Sequence, residues 1–421
     1  MSPTRRMSGV VAVLAAAATI AGCGSSSNDG GGAGGQSGGS KAPIKLGGIL
    51  TISGPLAEIG QSHQAGAKLA VDQINQAGGI DGRKLQLDVK DEQADPDATV
   101  SGVRDLLSSD TKLIFGGTTD SDCLAAAPLV NSSGGVLMGT SCQSNLLQGD
   151  KFVPAFFEIA PTNYMLSMAT AHLAADSFGD VGTWDGVGPD YEFGHEVWDS
   201  FKQDLAKLRQ GTVFRKGVFV PLTETRFKPY ITSLLSGLPS DSADKNGLFM
   251  STFSATTAGL AKQGKPFQLF ERYKTVLNLG GSTPTAEALG ADTPPLYFIY
   301  DYYDGAYDNP TNTKFVDAFK AANSGKKPNA WNYEGYTAVM AYKAAIEKAG
   351  TDDPAKVRDA LAGLEVDTPK GKLTFRAADH LLQTPVTVWK VEGDKGAPGG
   401  FKVSDAHAIP ADQVLPPARS H

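Results

Sequence analysis

No stretch of the 421 residues is both apolar and long enough to cross a bilayer, which takes about twenty residues in a helix; the longest candidate, 10–20, is roughly half that. A basic surplus is missing too. At a net charge of −7 the chain is a poor partner for nucleic acid or an anionic membrane surface. The six histidines (His63, His172, His195, His380, His407 and His421) are scattered, so no metal cluster is expected. Phosphate-cradling loops are absent: Gly186-Val187-Gly188 comes nearest to a dinucleotide fingerprint and lacks its third glycine. There is no G-x-S-x-G elbow and no His-Glu-x-x-His. Together these absences argue against an enzyme and lead us to expect no cofactor.

What is present begins with Arg5 and Arg6, then the apolar run, then Ile20-Ala21-Gly22-Cys23. A positive start, a short apolar core and small residues at its end describe an export signal over 1–22. In bacterial lipoproteins the cysteine after such a site becomes the lipidated first residue, so Cys23 is the expected membrane anchor. Residues 25–40 hold no aromatic or branched apolar side chain, and nothing offsets the entropy of ordering them. Residues 23–43 therefore read as anchor plus flexible linker, with an end-to-end distance of roughly 23 Å for about 17 Gly/Ser-rich residues. Loss of 1–22 would take the net charge from −7 to −9. Cys123 and Cys142 remain as a pair in an oxidising compartment; a disulfide is expected, with two buried thiols as the alternative.

From Ile44 onward short apolar runs alternate with helical periodicity. Strands are expected at 45–50, 85–89, 112–115 and 136–138, with helices between. Ser62 reads as the cap of a helix burying Ala67, Ala70, Val71 and Ile74. After Pro154 the pattern restarts, with strands near 181–184, 218–220, 248–250, 276–279 and 296–300. A helix at 331–349 and strands at 372–375 and 386–391 close the chain. Strand and helix alternating at this spacing build parallel, doubly wound sheets.

Ligands in such sheets sit beyond the carboxyl ends of the strands. Two loops there are rich in hydroxyls and run into helix starts, 116–123 (GGTTDSDC) and 138–144 (MGTSCQS). Free amides and the helix dipole favour an anionic group at such places, with Thr118, Ser121 and Ser144 adding hydroxyls. Plain helix capping by Asp120, Asp122 and Ser144 is the alternative.

From Ile44 to about Val403 the chain resembles the branched-chain amino acid binding proteins, the type I periplasmic binding proteins that feed ABC importers. The resemblance rests on residues 45–60 (KLGGILTISGPLAEIG), 65–83, 190–194 (DYEFG), 226–231 (RFKPYI), 332–339 (NYEGYTAV) and 371–380 (GKLTFRAADH), in that order. It implies an α/β protein of two Rossmann-like lobes joined by three crossovers, expected near Ala160, Tyr302 and Leu381. Lobe 1 would comprise 44–160 plus 303–380, lobe 2 would comprise 161–302 plus 381–405, and 406–421 would form a tail.

The same resemblance implies a carboxylate grip at Ser121, Cys142 and Ser144, with Thr119 and Tyr302 as further contacts. Ile59, Phe193 and Phe253 fall where the family lines its pocket. No acid stands at Gly280-Gly281, where the family's ammonium-binding acid would be; Asp120, Asp122 and Asp304 are the replacements available, and without one the pocket suits an apolar or aromatic acid. The expected protein is a monomeric, lipid-anchored receptor on the outer face of a bacterial membrane. It would pass a small carboxylate-bearing solute to an ABC permease with ATPase subunits. A ligand sensor of the same fold and an enzyme on a Rossmann-like lobe are the rivals.

Overall fold

The computed structural model describes residues 42–238 and 243–419. The export segment, Cys23 and the linker through residue 41 lie outside the described residues.

The first sheet contains β1 (Ile44–Leu50), β2 (Leu85–Asp91), β3 (Leu113–Gly116), β4 (Val136–Gly139) and β5 (Phe156–Glu158). All five are parallel, in the order β2-β1-β3-β4-β5. The second sheet receives β6 (Thr183–Pro189), β7 (Val213–Val220), β8 (Asn246–Met250), β9 (Thr275–Leu279) and β10 (Leu296–Tyr300). A two-stranded hairpin follows, β11 (Glu365–Thr368) and β12 (Gly371–Thr374). The chain then returns to the second sheet with β13 (Val386–Gly393) and β14 (Phe401–Ile409), giving the order β14-β13-β10-β9-β8-β6-β7. β13 runs antiparallel to β10, and β14 antiparallel to β13. Passage between the two sheets occurs within 159–162, beyond 301, and within 375–385.

The helices that matter for the site are α1 (Ala57–Gln76), α2 (Pro96–Ser108), α3 (Asp120–Ser132), α4 (Asn163–Ser177), α5 (Glu192–Leu208), α6 (Lys228–Leu235), α7 (Ser254–Gly264), α8 (Thr283–Leu289), α9 (Pro310–Ala322) and α10 (Ala330–Ala349). In α1 the periodic residues Ala67, Ala70, Val71 and Ile74 are buried as the spacing predicts. The helix starts at Ala57 rather than after Ser62. Ser62 is no cap; its hydroxyl accepts from Asn329 Nδ2 at 3.3 Å, because this face of α1 docks on α10. Glycines make that docking close. A Cβ on Gly66 would lie 1.9 Å from the Asn332 carbonyl oxygen, and one on Gly335 would lie 2.1 Å from that of His63. Only with both positions bare do the backbones touch, which brings His63 against Glu334.

Two other expectations are corrected. β6 continues to Pro189 through Gly186 and Gly188, where Trp198 fills the space a side chain at Gly186 would need. The boundary placed at 405/406 falls inside β14, whose pairing with β13 runs through Ile409. Beyond it the chain stays packed: Arg376 donates to the Pro416 carbonyl at 2.9 Å, and Arg419 lies over the Phe152 ring at 4.4 Å. Among the described residues no helix is long and apolar enough to cross a membrane, and no group of three or more His, Cys, Asp or Glu is arranged to hold a metal.

Candidate ligand site

The carboxyl ends of the parallel strands in both sheets open onto one cleft. Leu56, Ile59, Thr118, Thr119, Asp120, Ser141, Gln143 and Trp331 line it from the β1–β5 side. Tyr191, Phe193, Phe253, Gly280 and Tyr300 line it from the other.

A disulfide joins Cys123 to Cys142, with Cα atoms 5.9 Å apart, and ties together the loops after β3 and β4. Gly117, at φ 88°, lets the chain turn past it; a Cβ there would lie 2.1 and 2.3 Å from the two sulfurs. Thr119 caps α3. Its hydroxyl donates to Asp122 Oδ2 at 2.7 Å, its amide donates to the same oxygen at 2.9 Å, and it accepts from the Asp122 amide at 3.3 Å. The amides of Asp120 and Ser121, in the first turn, have no carbonyl one turn back to bond, and they sit at the positive end of the helix dipole.

Asp120 is the one charged side chain on the cleft lining among the described residues. It is 3% exposed and accepts from Asn163 Nδ2 at 2.8 Å; the same amide nitrogen donates to Glu196 Oε2 at 2.9 Å. Burial pushes its carboxyl up to about 7; the Asn163 bond opposes this, and Glu196 and Glu192 add to it. Gln143 also faces the cleft, and its Nε2 is buried without a hydrogen-bond partner.

Ser141 belongs to a buried knot. Its hydroxyl donates to Glu334 Oε2 at 2.9 Å, His63 Nε2 meets the same oxygen at 2.7 Å, and Ser141 Oγ lies 3.2 Å from Nε2. Burial drives the His63 imidazole down to about 3, so the ring is neutral. Serine, histidine and carboxylate invite comparison with a nucleophile relay, but a relay needs the acid and the hydroxyl on opposite ring nitrogens. Here both sit at Nε2, and Nδ1 has no partner.

Of the residues expected at the site, Ile59, Thr119, Phe193 and Phe253 line the cleft. Ser121 stands beside it, its hydroxyl 3.1 Å from that of Thr119. Cys142 and Ser144 are fully buried behind the loop. The first is in the disulfide, and the second accepts from the Leu146 amide at 3.4 Å. In an extended segment alternate residues face opposite ways, so the cleft receives Ser141 and Gln143 instead. Tyr302 is in the core, stacked 4.9 Å from Tyr333 and 5.8 Å from Tyr307, and donates to Asn312 at 2.5 Å. Tyr300 takes the cleft position and accepts from Trp331 Nε1 at 3.2 Å. Of the possible replacement acids, Asp122 is committed to capping α3, and Asp304 pairs with Lys327 at 2.7 Å away from the cleft.

Residues 43–397 match the family described as periplasmic binding protein. The chain belongs to this family. A similar protein is the leucine-, isoleucine-, valine-, threonine- and alanine-binding protein of Pseudomonas aeruginosa, 25% identical over 357 residues, which cover 82% of this chain and 88% of that one. Two solved structures share the fold. One is the branched-chain amino acid transporter substrate-binding protein of Streptococcus pneumoniae in complex with isoleucine: TM-score 0.75, 19% identity, covering 87% of this chain and 99% of that one. The other is a solute-binding protein of an ABC transporter from Rhodopseudomonas palustris in complex with 3,4-dihydroxybenzoic acid: TM-score 0.77, 19% identity, covering 88% and 98%. As a periplasmic binding protein the chain is an extracytoplasmic solute receptor of two lobes and not an enzyme.

Proposed function

We propose that this periplasmic binding protein closes its two lobes on a small apolar α-amino acid and delivers it to an ABC permease driven by ATPase subunits. The observation that carries the reading is Asp120, the lone charge on an otherwise neutral lining. A buried ammonium without an acceptor costs several kcal/mol, and a buried carboxylate facing a second carboxylate is no better. A zwitterion satisfies both ends: its ammonium meets Asp120, and its carboxylate meets Gln143 Nε2 and the first amides of α3. Leu56, Ile59, Phe193, Phe253 and Trp331 then surround an apolar side chain. The connections near Ala160, Tyr302 and Leu381 act as the hinge.

A second reading rests on the same residue. Protonated near pH 7, Asp120 becomes a donor, and the cleft then suits a solute bearing only a carboxylate, such as an aromatic or branched aliphatic acid. Calorimetry with L-leucine against 4-methylpentanoate, and L-phenylalanine against 3-phenylpropanoate, separates the two. We expect the amino acids to bind tighter at pH 8, and equal or tighter binding of the acids there refutes the zwitterion reading.

The protein is held at the membrane through lipid on Cys23, with residues 25–40 as its leash. Cys23→Ala should move it from the membrane to the soluble fraction, and unchanged retention would rule out the anchor.

A further inference from the structure

Ser141 lines the cleft, and its hydroxyl proton is held by Glu334, a fully buried acid outside the lining. We propose that Glu334 and His63 fix the Ser141 hydroxyl so that it faces the cleft as an acceptor, making it a second partner, beside Asp120, for an N–H-bearing group of the solute. Glu334 and His63 are positioning residues and touch no solute. The inference rests on the amino acid reading above.

The proton assignments follow from the partners. His63 Nδ1 has none, and a buried N–H left unpaired is rarer and costlier than a bare lone pair, so the ring proton sits on Nε2 and goes to Glu334 Oε2. Burial pushes the Glu334 carboxyl well above the usual carboxylate range, and the proton it then carries goes to Asp301, which leaves Oε2 as an acceptor. That oxygen also takes the Ser141 proton at 2.9 Å. A hydroxyl has one proton and two lone pairs. With the proton turned inward, and Nε2 3.2 Å away on the same inner side, what Ser141 turns outward is a lone pair, which the Tyr300 hydroxyl bonds in the ligand-free protein and an N–H of the solute would share or take over. The arrangement is rigid, because α1 and α10 touch through Gly66 and Gly335 and all three side chains are at most 7% exposed. Ser141 therefore discriminates: it accepts from an ammonium and repels a bare carboxylate oxygen.

Three variants test this by calorimetry with L-leucine and 4-methylpentanoate. Ser141→Ala should weaken leucine about tenfold and leave 4-methylpentanoate unchanged. Glu334→Gln keeps a carbonyl oxygen as acceptor and should preserve the wild-type preference. Glu334→Leu frees the Ser141 proton to turn outward and should narrow the preference about tenfold. Circular dichroism melting of each variant identifies any that fails to fold, and Ser141→Ala, the smallest change, carries the test if Glu334→Leu does. Equal loss for both probes in Ser141→Ala overturns the inference while the amino acid reading stands. If Asp120→Asn leaves the leucine preference intact, or the wild type binds neither probe, that reading falls and this inference with it.

Discussion

The first lobe brings Thr118, Asp120, Ser141 and Gln143 to the cleft, whereas the second brings Tyr191, Phe193, Phe253 and Tyr300 and no charge. The polar wall stands on loops after β3 and β4 that are cross-linked by the disulfide and anchored by the α3 capping box. The aromatic wall stands on the starts of α5 and α7, and its Phe193 and Phe253 touch edge to face with centroids 6.3 Å apart. On the amino acid reading proposed above, recognition of a charged head falls to the lobe with the fixed loops. In the proposed closure the other lobe acts as an apolar cover that removes water and so strengthens the polar contacts beneath it. Rigidity and polarity go together because a hydrogen bond is lost by small displacements, whereas an aromatic face tolerates them.

Cutting the tether under the polar wall should have the largest effect. Replacing Cys123 and Cys142 by serine opens a loop of 19 residues' separation, which by loop-closure entropy costs about 3 kcal/mol of stability. Urea unfolding measures it, and an unchanged midpoint would mean that the capping box alone holds the loops. Removing the charge comes next. Asp120→Asn should weaken L-leucine by on the order of a hundredfold and leave 4-methylpentanoate no weaker. Phe253→Ala, on the opposite wall, should weaken both probes alike, roughly tenfold, as a lost apolar contact does; a loss confined to leucine would mean that the second lobe also reads the head.

The smallest effect is on the ligand-free protein. The Asp120 carboxyl holds its proton to about pH 7 when folded and releases it near the ordinary 3.8 when unfolded. Between those values the folded state binds more protons, so the stability this group contributes is present at low pH and lost as pH rises through about 7. Thermal melting at pH 6 and pH 8 should therefore show wild type losing about a few degrees relative to Asp120→Asn on going to pH 8.

The alternation of strands and helices was legible because buried parallel strands read as apolar runs, as in Leu113–Gly116 and Val136–Gly139. Where glycine replaces a side chain the pattern vanishes, and β6 beyond Trp184 could not be read: the apolar surface there belongs to Trp198, a residue of α5. The site was legible to the loop but not to the residue. Choosing Ser144 and Cys142 over Ser141 and Gln143 is a one-residue error in register, and sequence holds no mark of which alternate set faces the cleft. Tyr302 and Tyr300 differ in the same way, by which of two nearby rings the end of β10 turns outward. The knot of His63, Ser141 and Glu334 joins residues far apart in sequence through a glycine contact between helices, and no local spacing signals it. Asp120 was visible as a helix-start acid; its isolation as the only charge on the lining became evident only with both walls in place.

If Asp120 meets a positive charge on the solute, the protons exchanged on binding report it directly. L-leucine titrated by calorimetry at pH 7 in buffers of different ionisation enthalpy yields that number. An ammonium beside Asp120 stabilises its charged form, and since the carboxyl is about half protonated at this pH, we predict release of roughly half a proton from the protein per leucine bound. Asp120→Asn should abolish the release. Proton uptake on binding, or release that persists in Asp120→Asn, would contradict the account.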